Sequence, residues 1–412
     1  MLKKIFTSAL VSLFMMSSAC LADDSNLTSS VDDFTWNYFK TLNKDGNIFY
    51  SPYSLSTALS VVANGSEGQT QAELLQALST NSLNDLNSSY QNFQNNVAQN
   101  YNGDGRTLAD SNLILINKNF AANGINNDYK QIVENIYKST IREADFTGNI
   151  EAEKKNISKW VANKTNNFIP NYNSIVSEET IMDILNVVYF KGDWYSPFEG
   201  NYTRSEEFTN KDDSKVRTEM MNQMFRNRIK YYEDAKFKAI EMPYKKLNGQ
   251  NIVSMYIVLP FKSNDLNVAD KWNRESLKYK QSFLDNIVNA PTFYGKVYVK
   301  LPKFELDIEN RVKNNLQTMG IQRAFTNEAE FYKMINNASL KISNVNHRAK
   351  IKVDETGTEA AAITEIDMVE TSAIPEPEPE VIKNFYADRP FLFVIKDVKS
   401  NVDLFVGVVN KL

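Results

Sequence analysis

Asp354-Glu355-Thr356-Gly357-Thr358-Glu359-Ala360-Ala361-Ala362-Ile363-Thr364 is the stretch on which the reading of the fold turns. It follows an alternating segment, 348–353, so it continues a strand, yet it carries the small residues of a hinge. Taken in steps of two, one set of positions is Thr358, Ala360, Ala362, Thr364, Ile366 and Met368, small or apolar throughout. The other set, Glu359, Ala361, Ile363, Glu365 and Asp367, holds all the acids. That is the period of a strand with one buried and one wet face. The next residues contradict a settled strand: Glu370-Thr371-Ser372-Ala373 leads into Pro375-Glu376-Pro377-Glu378-Pro379-Glu380. Proline has no N–H to give to a ladder, so this run is expected to be extended, exposed and semi-rigid. A strand-competent segment tied to an exposed loop is a switch candidate, because it has a second home in a sheet.

Beyond this loop, 391–395 and 402–409 are two apolar strands. Before it, 296–301 alternates, and 306–319 reads as a helix ending at Gly320. Residues 239–244 and 252–259 look like a paired hairpin, and 108–116 is strand-like. The mostly apolar 184–190 has the signature of a strand buried on both faces. Nearer the N-terminus, 29–42 has helical spacing, and 47–52 is a short strand stopped by Pro52. Residues 54–63 read as an apolar helix with Ser54 as its cap, and 68–78 as another helix. The Asn-, Gln- and Ser-rich 81–102 is either a polar helix or a loose connection. Helices first and strands later point to a mixed α+β domain with large sheets. With no internal repeat and no linker, 23–412 is expected to be a single domain.

Composition excludes more than it assigns. The 412 residues are 42% hydrophobic, 23% charged and 12% aromatic, an ordinary balance for a globular chain and a poor one for disorder. A net charge of −4 asks for neither nucleic acid nor an anionic membrane as partner. Lys3 and Lys4, the apolar 5–16 and the small residues after it read as a secretory signal peptide, 1–22, cut after Ala22. The single cysteine, Cys20, then falls where a small residue is needed before the cut; the alternative is a lipidated anchor, which Ser17 suits poorly. On the first reading the exported protein has no disulfide and draws its stability from packing. It is expected to be extracellular, or periplasmic if retained, and a bacterial origin suits the short lysine leader. With one histidine, His347, and no G-x-S-x-G, P-loop or G-x-G-x-x-G, the chain is not expected to be an enzyme. One His and one Cys cannot build a metal cluster; Asp212-Asp213, in a Lys-rich turn, reads as solvated rather than catalytic, and Asp104-Gly105 resembles a fragment of a calcium loop but lacks the spaced acids that follow in a true one. No metal or cofactor is expected.

Six short motifs in chain order resemble those of the serpin family, over essentially 30–412. They are Asn47-Ile48-Phe49-Tyr50-Ser51-Pro52-Tyr53-Ser54, Leu185-Asn186-Val187-Val188-Tyr189-Phe190-Lys191-Gly192-Asp193-Trp194, and Leu301-Pro302-Lys303-Phe304. The others are Gly357-Thr358-Glu359-Ala360-Ala361-Ala362, Asp388-Arg389-Pro390-Phe391-Leu392-Phe393 and Leu404-Phe405-Val406-Gly407. The resemblance implies an α+β fold of three β-sheets with about eight or nine helices and an exposed reactive-centre loop, about 355–380. It implies a metastable native state and a suicide mechanism. A protease cleaves the loop and forms an acyl-enzyme through its own serine; the cut loop then inserts into the main sheet, and the trapped protease is distorted. Glu355, Gly357, Thr358, Glu359, Ala360, Ala361, Ala362 and Thr364 would form the hinge. Ser51, Ser54, Asn186 and His347 would hold the sheet closed. Lys303 would pair with Glu355 at the mouth of the sheet, unless the two are unrelated surface charges, and Trp194 would line that mouth or serve simply as core.

Counting from Gly357 by the family's loop length places the reactive bond at Thr371-Ser372, with Met368-Val369 as the alternative. Thr371 suits an elastase-like or subtilisin-like pocket, and Met368 an elastase-like or chymotrypsin-like one. No Lys or Arg lies between Gly357 and Pro379, so a trypsin-like target is not expected. Residues 51–105 also lack any Lys or Arg, so no heparin-like cofactor is expected through that region, and the protein is expected to act as a monomer. The competing reading from another class is a non-inhibitory serpin that binds a ligand or a client protein; the intact hinge pattern argues against it.

Overall fold

The computed structural model describes residues 16–101, 105–261, 287–358 and 381–412, with the side chains of 16–26 left aside. The described residues form three sheets and seven α-helices. The main sheet has six strands. In spatial order they are β11 (Phe304–Arg311), β12 (Ile342–Val353), β13 (Gly357–Thr358), β4 (Met182–Asp193), β2 (Arg106–Asn117) and β3 (Thr140–Ala144). A second six-stranded sheet runs β1 (Ile48–Tyr50), β16 (Val402–Val409), β15 (Phe391–Asp397), β9 (Val253–Pro260), β8 (Phe237–Pro243) and β7 (Tyr231–Glu233). The third has β14 (Ile382–Tyr386), β10 (Lys296–Pro302), β6 (Lys215–Arg226) and β5 (Arg204–Thr209). This is the three-sheet α+β architecture implied by the family resemblance.

Two layers of apolar packing hold the main sheet. On one face, Leu113 and Leu115 of β2 and Leu185 and Val187 of β4 pack under Ile157 and Val161 of a helix, Ile150–Lys164. On the other face, Ile114, Ile116, Ile184 and Val188 join the principal core. That core includes the second sheet and a wholly buried helix, α2 (Pro52–Asn64), which packs on β4 and β16. Covered on both sides, β4 reads as the near-continuous apolar run seen in its sequence. A longer helix, α1 (Met16–Thr41), packs on α2 and, beyond the short α3 (Gly68–Ala77), on α4 (Leu83–Asn100), so that the Asn-rich stretch is helical over those eighteen residues.

Two local expectations are corrected. Residues 306–319 are not one helix: β11 runs through Arg311, an edge strand paired with β12, and only the six residues Lys313–Thr318 are helical. Val312, Leu316 and Met319 stand at helical spacing, but upstream Phe304, Leu306 and Ile308 alternate with Glu305 and Asp307, and there the period-two pattern prevails. The cap of α2 is Ser51, not Ser54. Ser51 is extended, and its hydroxyl accepts the Ser54 N–H at 3.1 Å, while Pro52 occupies the first helical position, where its missing N–H costs nothing. Ser54 is left free to turn its own hydroxyl towards the main sheet.

Candidate functional site: a seam in the main sheet

Gly357 and Thr358, the first small residues of the expected hinge, are part of the sheet. β4 and β12 pair directly and in parallel from Met182↔Ile342 to Val188↔Ala349. Above that point they separate, and β13 lies between them, with Thr358 opposite Gly192 on one side and Val353 on the other. The seam is closed below and wedged open above by two residues. A side chain at Gly357 would sit 2.1 Å from the Gly192 carbonyl oxygen, so only glycine lets the chain enter between the strands. Thr358, 1% exposed, shares a 2.7 Å hydrogen bond between its Oγ1 and the Tyr244 hydroxyl.

A tight turn feeds the wedge. The Asp354 carboxylate accepts the Thr356 N–H at 2.9 Å and its hydroxyl at 2.7 Å, and the Asp354 N–H reaches the Gly357 carbonyl at 3.0 Å. Trp194, just past β4, donates its indole Nε1–H to the Asp354 carbonyl at 3.1 Å, and its N–H to Thr356 O at 2.8 Å. Its ring stacks on Tyr244 with centroids 4.5 Å apart. Trp194 is thus both buried core and a wall of the mouth. Glu355 and Lys303 meet at 3.0 Å, and Lys303 also reaches Glu219 at 3.2 Å. Burial opposes ionisation of Glu355, but hydrogen bonds from Thr203 and Lys303 outweigh it and hold the carboxyl below its usual range.

Halfway down the closed part, the polar residues named from the sequence come together. Asn186 and His347 sit directly opposite one another in the ladder and are hydrogen-bonded through Oδ1 and Nδ1. His347 Nε2 accepts the Ser51 N–H at 3.0 Å, which puts the ring proton on Nδ1, where it is donated to Asn186. The Asn186 amide donates to the Ser54 hydroxyl at 2.6 Å, to the Ser54 carbonyl at 3.0 Å and to Asn112 at 2.6 Å. Ser51 and Ser54 stand on the first turn of α2, so that turn grips both sides of the seam. His347 is fully buried, which pushes its pKa down to about 3 and keeps the ring neutral in the fold.

The structure thus brings Ser51, Ser54, Asn186 and His347 to one point, and Trp194, Lys303, Glu355, Gly357 and Thr358 to another. Glu359, Ala360, Ala361, Ala362, Thr364, Met368, Val369, Thr371 and Ser372 lie outside the described residues. Sequence reasoning did not single out Tyr244, Asn112, Asp110 or Thr203. Asp110 and Asn112 were detectable as polar residues on the α2-facing side of β2, between Leu108 and Ile114. Asp212 sits in an exposed turn, its carboxylate accepting from Ser214. Among the described residues, no group of His, Cys, Asp and Glu is placed to hold a metal ion.

Three sheets around a buried helix, with a two-residue strand wedged into the seam of the main sheet, define the class to which the fold belongs. Comparison with known proteins names it: the family described as "Serpin (serine protease inhibitor)" matches residues 29–412, and the chain belongs to the serpin family. It is 33% identical over 394 residues to an uncharacterized serpin-like protein of the archaeon Methanosarcina acetivorans, covering 94% of this chain and 87% of the other. The fold is similar to native tengpin, a thermophilic serpin, with a TM-score of 0.79 at 28% identity over 93% of this chain and 94% of that one. It is equally similar to human thyroxine-binding globulin in complex with its hormone, with a TM-score of 0.80 at 25% identity over 94% and 99%. Solved structures of this fold thus include one described with a bound hormone.

Proposed function

We propose that this serpin is an inhibitor that traps a serine-type protease, or a cysteine protease by the same acyl chemistry, through insertion of its cleaved loop into the seam. The observation that carries the reading is the wedge: Gly357 and Thr358 already occupy the first two positions of a new strand. Extending both registers downward gives one answer from either side. The antiparallel register with β4 brings Thr364 opposite Asn186, and that with β12 brings Thr364 opposite His347. The inserted strand would therefore part that hydrogen bond and deliver a hydroxyl between its two former partners. Thr358 faces inward, so Ala360, Ala362, Thr364, Ile366 and Met368 would follow it into the core, and Glu359, Glu365 and Asp367 would face outward. No carboxylate of 358–368 is then buried unpaired, which is the condition for insertion to be favourable.

In the same reading, Thr371-Ser372 is the reactive bond, with Met368-Val369 as the alternative, and the target has an elastase-like, subtilisin-like or chymotrypsin-like pocket. The protein acts as a secreted monomer without a cofactor, its leader removed after Ala22. The test mixes the mature protein with pancreatic or neutrophil elastase on a denaturing gel. A heat- and detergent-stable band at the summed mass, with a released peptide beginning at Ser372, is the expected result. Clean cleavage without that band, and without a gain in thermal stability of the cut protein, would overturn it in favour of a binding protein.

A further inference from the structure

One acid stands among the polar groups under the seam, and nothing in the sequence motifs names it. We infer that Asp110 is a positioning residue for sheet opening: its carboxyl ties the β2–β4 half of the main sheet to the first turn of α2 in a site closed to water, so that its ionisation disfavours the closed sheet. This rests on the strand-insertion reading above and adds to it a sensitivity to pH.

The geometry is a double grip. β2 and β4 are paired without interruption from Arg106↔Gly192 to Ile116↔Met182, so they move as one. On that side of the seam, Asp110 Oδ1 accepts the Ser54 hydroxyl at 2.5 Å, and the Asn186 and Asn112 amides lie at 3.5 Å. On the other side, His347 of β12 holds the Ser51 N–H. Both halves hold the same turn of one helix. Admitting a strand moves β4 and β12 apart by about 4.8 Å, more than any hydrogen bond tolerates. At least one grip must therefore release before the loop can pass the middle of the seam.

The closed site around Asp110 favours the neutral acid. Although the residue is half-buried, Asp110 points inward with Leu108 and Ile114, and its Oδ2 is shut from water with no hydrogen-bond partner. A carboxylate with one bare buried oxygen is costly, whereas the neutral acid is not. Burial accordingly pushes Asp110 up to about 7, against smaller opposing pulls from Ser54, Thr57, Asn186 and Asn112. The groups facing it are Tyr53, Ser54 and Thr57 of α2, Tyr90 of α4, Asn186 of β4 and Asn112 of its own strand. None is a cation, both tyrosines are pushed above their usual range, and His347 beyond Asn186 stays neutral to about pH 3. The closed sheet thus holds the Asp110 proton more tightly than a sheet in which the carboxyl reaches water. Closure is favoured in acid, and the preference is lost as pH rises towards about 7.

A peptide assay isolates this step from any protease. A synthetic peptide of residues 358–371, acetylated at its N-terminus so that no amine titrates, is incubated with the intact protein between pH 5.5 and 8.5, and annealing is followed by the rise in thermal midpoint. The peptide's own carboxylates titrate near pH 4 and stay ionised throughout. Wild type should anneal several-fold faster at pH 7.5 than at 5.5, by at most about tenfold per pH unit, and level off above. Asp110→Asn should anneal slowly and lose most of the wild-type slope, the remainder belonging to Asp183, whose bond from Asn346 crosses the seam on its other face. Asp110→Thr, which keeps an oxygen for Ser54, gives the same reduced slope and guards against a folding defect in the first variant. A flat wild-type profile, or a variant that retains the wild-type slope, overturns the role of Asp110. A peptide that never anneals to any of the three proteins at any pH instead overturns the insertion reading itself.

Discussion

The mouth of the seam and its middle are closed by different physics. At the mouth, Glu355, Lys303 and Glu219 form ion pairs that solvent reaches, around a turn and a stacked Trp194–Tyr244 wall. In the middle, Asn186, His347, Ser51 and Ser54 are all within 1% of full burial, and their bonds are between neutral groups. Exposed ion pairs are worth about 0–1 kcal/mol, whereas leaving one buried polar group without its partner costs about 1–3 kcal/mol. The mouth can therefore be breached easily, as the lodged Thr358 illustrates, while the middle resists until a strand arrives that replaces what it breaks. The proposed insertion mechanism requires both: a point where insertion starts and a barrier that keeps it from finishing unprompted.

The strongest test of this contrast falls on the residue between the two regions. Thr358→Arg would put a cation into a site that is 1% exposed and faces only the Tyr244 hydroxyl. An uncompensated buried charge costs about 3 kcal/mol or more, which slows insertion about a hundredfold. The protease should then outrun the loop, and the variant should be cut as a substrate with almost no covalent band on a gel. Undiminished trapping would mean that the wedge seen here is not the start of insertion.

Next in size is Asn186→Ala. It strands the His347 Nδ1–H and removes the amide donor that reaches Ser54 and Asn112. Two orphaned groups predict a loss of about 2–4 kcal/mol, read as a lower urea midpoint with an unchanged slope. A change under 1 kcal/mol would place the resistance of the seam elsewhere.

How much of this was legible in the sequence differs between the same two regions. Motif resemblance named Ser51, Ser54, Asn186 and His347, and the structure gathers them, but it could not name Asp110, Asn112 or Tyr244. Those three meet the others through registers between strands far apart in sequence, Asn112↔Asn186 among them, and periodicity along one strand carries no information about register. Local chemistry was also misjudged where two signals competed. Ser54 stood just before the apolar run and looked like the cap, yet Pro52 marks the first helical position and so makes Ser51 the cap. At the mouth, the Glu355–Lys303 pair was expected only by resemblance and is present, whereas Thr203, which also donates to Glu355, carries no local mark.

Acid sharpens the comparison, because only the middle contains groups shifted far enough to respond. His347 is held neutral to about pH 3, while in the unfolded chain a histidine protonates near 6.5. The unfolded state therefore binds the extra proton first, and this contribution to stability is lost as pH falls from about 6.5 towards 3. Asp110 and Asp183, both pushed up to about 7 by burial, act in the opposite sense and gain as pH falls. The histidine is isolated by difference: the stability gap between wild type and His347→Gln should narrow by about 2–3 kcal/mol between pH 7 and 4.5. A constant gap would mean that His347 is not sealed from solvent.

The smallest effect belongs to the mouth. Glu355→Gln keeps the bond to Thr203 within reach of the new amide's oxygen and removes only the charge facing Lys303. Lys303 retains Glu219, so the cation is not orphaned. The native thermal midpoint should change little, by less than about 1 kcal/mol in stability, and what change there is should shrink in high salt. Peptide annealing should quicken by no more than a few-fold, because the mouth is already parted. A loss comparable with that of Asn186→Ala would reverse the contrast, making the mouth the barrier and the buried middle merely the core that the loop slides over.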